Sequence, residues 1–212
     1  MCDSRLSFFH LPLQHLPVLM LLGLFIPGGL VGCGSSATKY YVLDAVAVKK
    51  MAVASNLPAI TIRQLEIPPY LDRPYMVSRD QSTQLRIAEY HQWGGRLRDN
   101  LARTLADDLG TLLGSSDISA VPQPGSMDAN IALLVDIRQF ERLPDGYVHM
   151  KVRWQMQRAG EIVQRHLDHL SSSARMDSGD YAAMAQAMSA LLGQLSEKMA
   201  KAIVQISSPG TD

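Results

Sequence analysis

The sequence contains very little cysteine and has no excess of positive or negative charge. Its 212 residues include only Cys2 and Cys33, so a framework of several disulfides is excluded. The 20 lysines and arginines are balanced by 20 aspartates and glutamates, so the chain lacks the basic excess that nucleic-acid-binding proteins carry. Because 47% of the residues are hydrophobic, the chain should fold around an ordinary apolar core.

Motifs of catalysis and metal binding are also missing. The sequence has neither the glycine patterns that bind nucleotide phosphates nor a Gly-x-Ser-x-Gly nucleophile motif. His166 and His169 are three residues apart in a predicted strand, so they point to opposite faces, and no cysteine or carboxylate cluster completes a site. Asp107, Asp108 and Glu141 are isolated carboxylates that we interpret as solvated. We therefore predict a protein that is not an enzyme and holds no metal.

The first 32 residues have the composition of a secretory signal peptide. Arg5 precedes an apolar run that is continuous over residues 16–31 and ends in small residues. This run is short for a membrane span, which needs about 20 apolar residues. We therefore expect residues 1–32 to be removed from the mature protein.

The end of this run, Leu30-Val31-Gly32-Cys33, resembles the lipobox of bacterial lipoproteins at all four positions. The resemblance implies cleavage between Gly32 and Cys33, a diacylglyceryl thioether on the Cys33 sulfur, and acylation of the new amino terminus. This covalent lipid is the only non-protein group we expect. The alternative is that Cys33 ends an uncleaved anchor helix or is a buried thiol.

Lipidation of Cys33 would fix where the protein is located. Cys2 would leave with the leader, so no intramolecular disulfide could form in the mature chain. Residue 34 is glycine rather than aspartate, which by analogy with the sorting rule of enterobacteria indicates the outer membrane, facing the periplasm. Residues 33–38 form a tether whose last five residues span less than about 20 Å, so the domain should lie close to its membrane.

Residues 39–208 are predicted to form one α+β domain, with an antiparallel sheet and two amphipathic helices packed on one face. Leucines at spacings of three and four predict a helix over 95–113, and a longer stripe rich in methionine predicts another over 181–206. Methionine at helical spacing is typical of a core, although it also suits acyl chains. Strict alternation of apolar and polar residues predicts strands, joined in the second half as an antiparallel meander. The predicted strands cover residues 40–43, 59–67, 75–79, 85–90, 131–137, 148–156 and 162–171.

The most unusual segment is residues 67–75, in which tyrosines, a leucine and an arginine stand among three prolines. Proline stiffens the backbone, so this loop would present its side chains rigidly, and aromatic and arginine side chains suit recognition. The alternative is that its tyrosines fold back onto the sheet. Five residues are the candidates either for partner contact or for packing that is characteristic of the fold: Tyr70, Leu71, Arg73, Tyr75 and Trp93.

Three groups of residues carry a resemblance to a known family. Tyr40-Tyr41-x-Leu43 follows the lipobox, Tyr70-Leu71-Asp72-Arg73-Pro74 follows Ile67, and Glu89-x-x-x-Trp93 comes last. Together, with Glu89-x-x-x-Trp93 expected to open the helix that carries Leu97 and Leu105, they are similar to the ABC-type transport auxiliary lipoprotein family, which includes the paraquat-inducible C subunits. Gly94-Gly95 departs from the family pattern and should shift the helix start by about a turn.

The resemblance implies a non-enzymatic accessory subunit on the outer membrane. It would dock a periplasm-spanning protein with mammalian-cell-entry (Mce) domains, in an assembly that moves lipids between the two membranes and supports envelope integrity. A homo-oligomer is compatible with this role. The alternative function is a lipoprotein regulator of a cell-wall (peptidoglycan) synthase, although such regulators often have a long tether and this one is short.

Overall fold

The structure is a computed structural model that describes residues 36–46, 50–51, 57–120 and 130–207. The predicted leader, Gly32 and Cys33 lie outside the described residues, as do most of the predicted loop over 49–58 and residues 121–129 of the next one. The described ranges hold eight strands and two helices. In chain order these are β1 (Lys39–Tyr41), β2 (Ile60–Glu66), β3 (Tyr75–Arg79), β4 (Leu85–Trp93), α1 (Leu97–Leu113), β5 (Ile118–Ser119), β6 (Ile131–Arg142), β7 (Val148–Arg158), β8 (Glu161–Ser171) and α2 (Tyr181–Ser207).

The strands form two sheets rather than one. A three-stranded sheet has the order β1-β4-β3, and a five-stranded sheet has the order β5-β2-β6-β7-β8. The α+β class is confirmed, but the prediction of a single, wholly antiparallel sheet is wrong, because β1 pairs with β4, and β2 with both β5 and β6, in parallel. A parallel pair needs a long crossover. The chain between β2 and β6 forms this crossover and includes β3, β4 and α1. The local sequence pattern of β2 or of β6 could not show that the two strands pair in parallel.

The predicted antiparallel meander is confirmed in β6, β7 and β8. On β7, Val148, Met150, Val152, Trp154 and Met156 are buried, and the residues between them face the solvent side. The two-residue connection from β7 to β8 is Ala159-Gly160, with φ of 51° and 85°. A hairpin of this length favours positive φ at both positions, and Gly160 adopts it without the cost that a side chain adds.

Both helices cover the buried face of the five-stranded sheet. Helix α1 begins at Leu97, two residues later than its predicted start, and α2 begins at its predicted residue. The expectation that Glu89 and Trp93 open α1 is wrong, because both lie in β4, which pairs with β1 and β3. The Asp180 carboxylate accepts the Ala183 N–H at 2.9 Å and caps α2. The methionine stripe is core rather than a lipid-facing surface, since Met184, Met188 and Met199 are at most 2% exposed. No helix in the described ranges has the length and apolar character to cross a membrane.

Asp108 was predicted to be solvated, and this was wrong. Its side chain is fully buried between the two helices, where it accepts the Val46 N–H at 3.0 Å and the Ser196 hydroxyl at 3.3 Å. Burial raises the pKa of Asp108 to about 6 from 3.8, against the opposing effect of these hydrogen bonds. The fold therefore favours the protonated carboxyl group.

Asp108→Asn should change how stability depends on pH. The stabilisation from protonated Asp108 is fully present below its unfolded pKa of 3.8 and is lost as the pH rises through about 6. Asparagine does not titrate; its oxygen can still accept the Val46 N–H, and its NH₂ group can donate to the Ser196 oxygen in place of the bond that Asp108 accepts. Between about pH 4 and pH 7, the unfolding free energy of the variant should therefore rise relative to wild type by on the order of 2–3 kcal/mol.

Urea denaturation at the two pH values measures this difference. The control is Asp107→Asn, which removes the neighbouring exposed carboxylate and should leave the pH dependence close to that of wild type. Parallel pH profiles for wild type and Asp108→Asn would show that the buried carboxyl group does not titrate as argued.

Candidate functional site

The five candidate contact residues lie around the connection between β2 and β3, next to the end of β4. The proline-rich segment turns sharply, with the Leu71 N–H donating to the Pro68 carbonyl at 2.9 Å. Leu71 is 3% exposed and Trp93 is 4% exposed, and both belong to the main hydrophobic core. For these two residues the packing alternative describes the structure, because both side chains are almost wholly buried in the core.

Tyr70 is turned inward to a buried carboxylate. Its hydroxyl donates to Glu141 Oε2 at 3.0 Å, and Arg79 Nε donates to Glu141 Oε1 at 2.7 Å. The Arg79 guanidinium also lies 5.6 Å from the centre of the Tyr70 ring. Burial, followed by the proximity of Glu141, raises the pKa of Tyr70 to about 12. The hydroxyl is therefore a fixed donor that ties the proline-rich loop to the sheet.

Glu141, predicted to be solvated, is fully buried, so this prediction was wrong. The register of β6 against β7 shifts between Ile137 and Gln139, which interrupts the alternation of inward and outward residues. Phe140, Glu141 and Arg142 are consequently all buried. No local sequence pattern indicates this bulge, so the Tyr70–Arg79–Glu141 cluster could not be predicted from the sequence.

Arg73 lines an open groove at the end of the three-stranded sheet. The groove lies between the loop that leads into β3 and the turn that leads from β4 to α1, and it has a volume of about 340 Å³. Its lining residues are Asp72, Arg73, Pro74, Trp93, Gly95 and Arg96. Trp93, although almost wholly buried, thus contributes the apolar part of one wall.

The side chains that line the groove carry a net positive charge. The Asp72 carboxylate is bound by Arg98 at 2.5 Å and lies 4.0 Å from Arg96. Arg96 is 66% exposed in its side chain. Arg73 Nε is buried and has no hydrogen-bond partner in the described part of the chain. The groove is thus lined by one carboxylate, Asp72, and by two arginines, Arg73 and Arg96.

Tyr75 is separate from this groove. It is 38% exposed and pairs across the sheet with Gln92 of β4. Of the five candidates, Tyr75 is exposed and Tyr70 and Arg73 are partly buried. Arg73 and Tyr75 belong to two different surfaces.

His166 and His169 lie on opposite sides of β8, as predicted. His166 stacks on the buried Trp154, with ring centres 4.0 Å apart, whereas His169 is exposed. Among the described residues, no group of three or more histidine, cysteine, aspartate or glutamate side chains could hold a metal ion.

A protein-family model and several known proteins are similar to this chain in sequence or in fold. A family model described as the ABC-type transport auxiliary lipoprotein component matches residues 41–200. Two relatives, both named intermembrane transport lipoprotein PqiC, come from Escherichia coli K12 and Shigella flexneri. Each is 26% identical over 139 residues, covering 64% of this chain and 73% of the relative.

Two crystal structures share the fold. A protein from Xanthomonas campestris superposes with a TM-score of 0.62 at 16% identity, over 80% of this chain and 94% of its own. An uncharacterised protein superposes with a TM-score of 0.64 at 21% identity, over 79% of this chain and 99% of its own. At these identities the likeness concerns the architecture alone.

Proposed function

The chain belongs to the ABC-type transport auxiliary lipoprotein family, and from this premise we propose that it is a non-enzymatic subunit of an intermembrane lipid transport system. In this proposal it is held on the periplasmic face of the outer membrane by lipid on Cys33 and docks a periplasm-spanning Mce-domain protein. The match over residues 41–200 carries the proposal. The relatives named as intermembrane transport lipoproteins support it.

The short tether makes a partner necessary. With Cys33 in the membrane, residues 34–38 allow at most about 20 Å of extension, which keeps the domain beside its own membrane. Transfer between two membranes then requires another protein to bridge the periplasm. Anchoring confines this subunit to the surface where such a partner arrives, which raises the effective concentration for docking.

The groove beside Arg73 is the docking position that we propose. Arg73 and Arg96 both line the groove, so an incoming carboxylate would lie between two guanidinium groups. Arg96 adds an exposed positive charge at the same groove, and Trp93 provides an apolar wall. This combination fits an acidic segment of the partner with at least one apolar side chain.

Reversing the charge of the groove should weaken docking. In Arg73→Glu/Arg96→Glu, two attractive contacts become repulsive, and we expect at least about a tenfold loss of affinity for the proposed Mce-domain partner. Co-purification and titration of the lipidated protein with that partner in detergent measure the loss.

The matched control is Arg165→Glu, which reverses an exposed arginine on β8, away from the groove. If wild type fails to bind the intact Mce-domain partner, the transport role itself is contradicted. If wild type binds and the double variant binds equally well, the groove is not the docking position, whereas the role in transport is unaffected.

A further inference from the structure

The three-stranded sheet has an uncharged face that is open to solvent. Gln92 of β4 pairs with Tyr40 of β1 on one side and with Tyr75 of β3 on the other. Residues paired in this way project from the same face of a sheet. Tyr40 is 66% exposed and Tyr75 is 38% exposed. The next residue on this side of the first strand, Val42, is 57% exposed and lies against Gly94. We refer to Tyr40, Val42, Tyr75 and Gln92 as the aromatic face.

Packing on the other side of the same sheet fixes the orientation of the aromatic face. Tyr41 and Trp93 are paired with each other, and Trp93 is buried in the core. The Tyr41 hydroxyl lies 2.8 Å from His91 Nδ1, and the His91 ring packs at a tilt against Tyr181 at the start of α2, with the ring centres 4.3 Å apart. A shift of one residue in register would exchange these two sides. The tyrosines of the aromatic face are thus held outward by the core contacts of their neighbours.

The aromatic face lies at the point where the tether enters the domain. Tyr40 is seven residues from Cys33, so its Cα atom stays within about 25 Å of the lipidated residue even at full extension. A compact domain of this length is about 40 Å across. Because this reach is shorter than the width of the domain, the strand that carries Tyr40 cannot lie on the side of the domain farthest from the membrane.

The chemistry of the aromatic face suits a lipid headgroup layer. Tyrosine is enriched at membrane–water interfaces because its ring is apolar and its hydroxyl is polar. None of the four residues of the face is charged, so no carboxylate repels anionic lipids there. Lys39, which is exposed and directly precedes Tyr40, adds a positive charge between the tether and the face.

We infer that the aromatic face rests on the headgroup layer of the membrane in which the acyl chains of Cys33 are inserted. The tether holds the domain near that membrane, and the tyrosines select which side of the domain faces it. The groove at Arg73 keeps a constant orientation relative to the membrane as a result. This inference rests on the lipidation of Cys33 in the proposed function.

A fluorescent probe on the aromatic face tests this orientation. In the mature lipoprotein Cys33 is acylated, so a cysteine introduced elsewhere is the single free thiol. Gln92→Cys places the probe at the centre of the face. Gln155→Cys is the matched control, because it replaces another half-buried glutamine, on the solvent side of the five-stranded sheet. Each lipidated variant is placed in phosphatidylethanolamine–phosphatidylglycerol vesicles that carry a nitroxide quencher on the headgroup.

We expect the quencher to reduce fluorescence at position 92 at least about twofold more than at position 155, because only the first position would lie within the interfacial layer. Adding Tyr40→Ser and Tyr75→Ser to the Gln92→Cys variant should remove this difference. Equal quenching at both positions, or a difference that survives loss of both tyrosines, would overturn the inference. Mass spectrometry of the same sample separates the two proposals: an unacylated Cys33 contradicts the anchor, whereas an acylated protein with equal quenching contradicts only the orientation.

Discussion

Cys33→Ala should accumulate as an unprocessed precursor that still carries residues 1–32. The thioether to diacylglycerol requires the cysteine sulfur, and the lipobox resemblance makes cleavage depend on the lipidated residue. Two or more acyl chains hold a protein stably on a membrane, and each buried methylene contributes about 0.8 kcal/mol. The variant should therefore show no acylated amino-terminal peptide by mass spectrometry and no mature form on outer membranes after fractionation.

The sequence supplies a matched control for this experiment. Cys2→Ala removes the other cysteine, which lies within the predicted leader, and should leave processing, acylation and membrane location as in wild type. If Cys33→Ala is instead cleaved and released normally, the lipobox prediction fails. The outer-membrane location and the proposed docking role would fail with it.

Glu141→Ala should destabilise the folded domain severely. The carboxylate is fully buried and accepts hydrogen bonds from Arg79, Tyr70 and the Phe140 N–H. Its removal takes the shared acceptor from the Tyr70 hydroxyl and from Arg79 Nε, and leaves the Arg79 guanidinium with the Ser82 carbonyl. Breaking a buried ion pair from one side typically costs about 3–5 kcal/mol, so the urea midpoint should fall strongly, and the variant is expected to be close to unfolding at physiological temperature.

Two milder substitutions show which part of the cluster matters. Tyr70→Phe removes one hydrogen bond and should cost only about 1 kcal/mol. It should also leave co-purification with the Mce-domain partner unchanged, because the hydroxyl already binds Glu141. Glu141→Gln keeps an acceptor but loses the charge, and should fall between the other two. A loss below about 1 kcal/mol for Glu141→Ala would show that water satisfies the cluster after truncation.

Local periodicity predicted many of the secondary-structure elements. The start of α2, the full extent of β3 and the turn between β7 and β8 follow from patterns within a few residues. The burial of Asp108 could also have been predicted, because positions 101, 105, 108 and 112 lie on the same face of the helix. The aspartate was assigned to solvent because of its charge rather than its position.

Other features depend on residues that are distant in sequence. Whether β2 pairs in parallel with β6 is decided by the crossover between them, not by either strand. The bulge in β6 has no local signature, so Glu141 and its partners Tyr70 and Arg79, separated by 71 and 62 residues, could not be grouped in advance. The same holds for the aromatic face, which requires the register of three strands.

The sequence by itself thus determined the helices, the meander, the α+β class and the family, because periodicity and short motifs are properties of neighbouring residues. Only the tertiary structure decided that the strands form two sheets and that some of them pair in parallel. It also decided that Leu71 and Trp93 pack inward while Tyr40 and Tyr75 remain outside. Burial depends on which distant segment covers a side chain, and that contact exists only once the chain has folded.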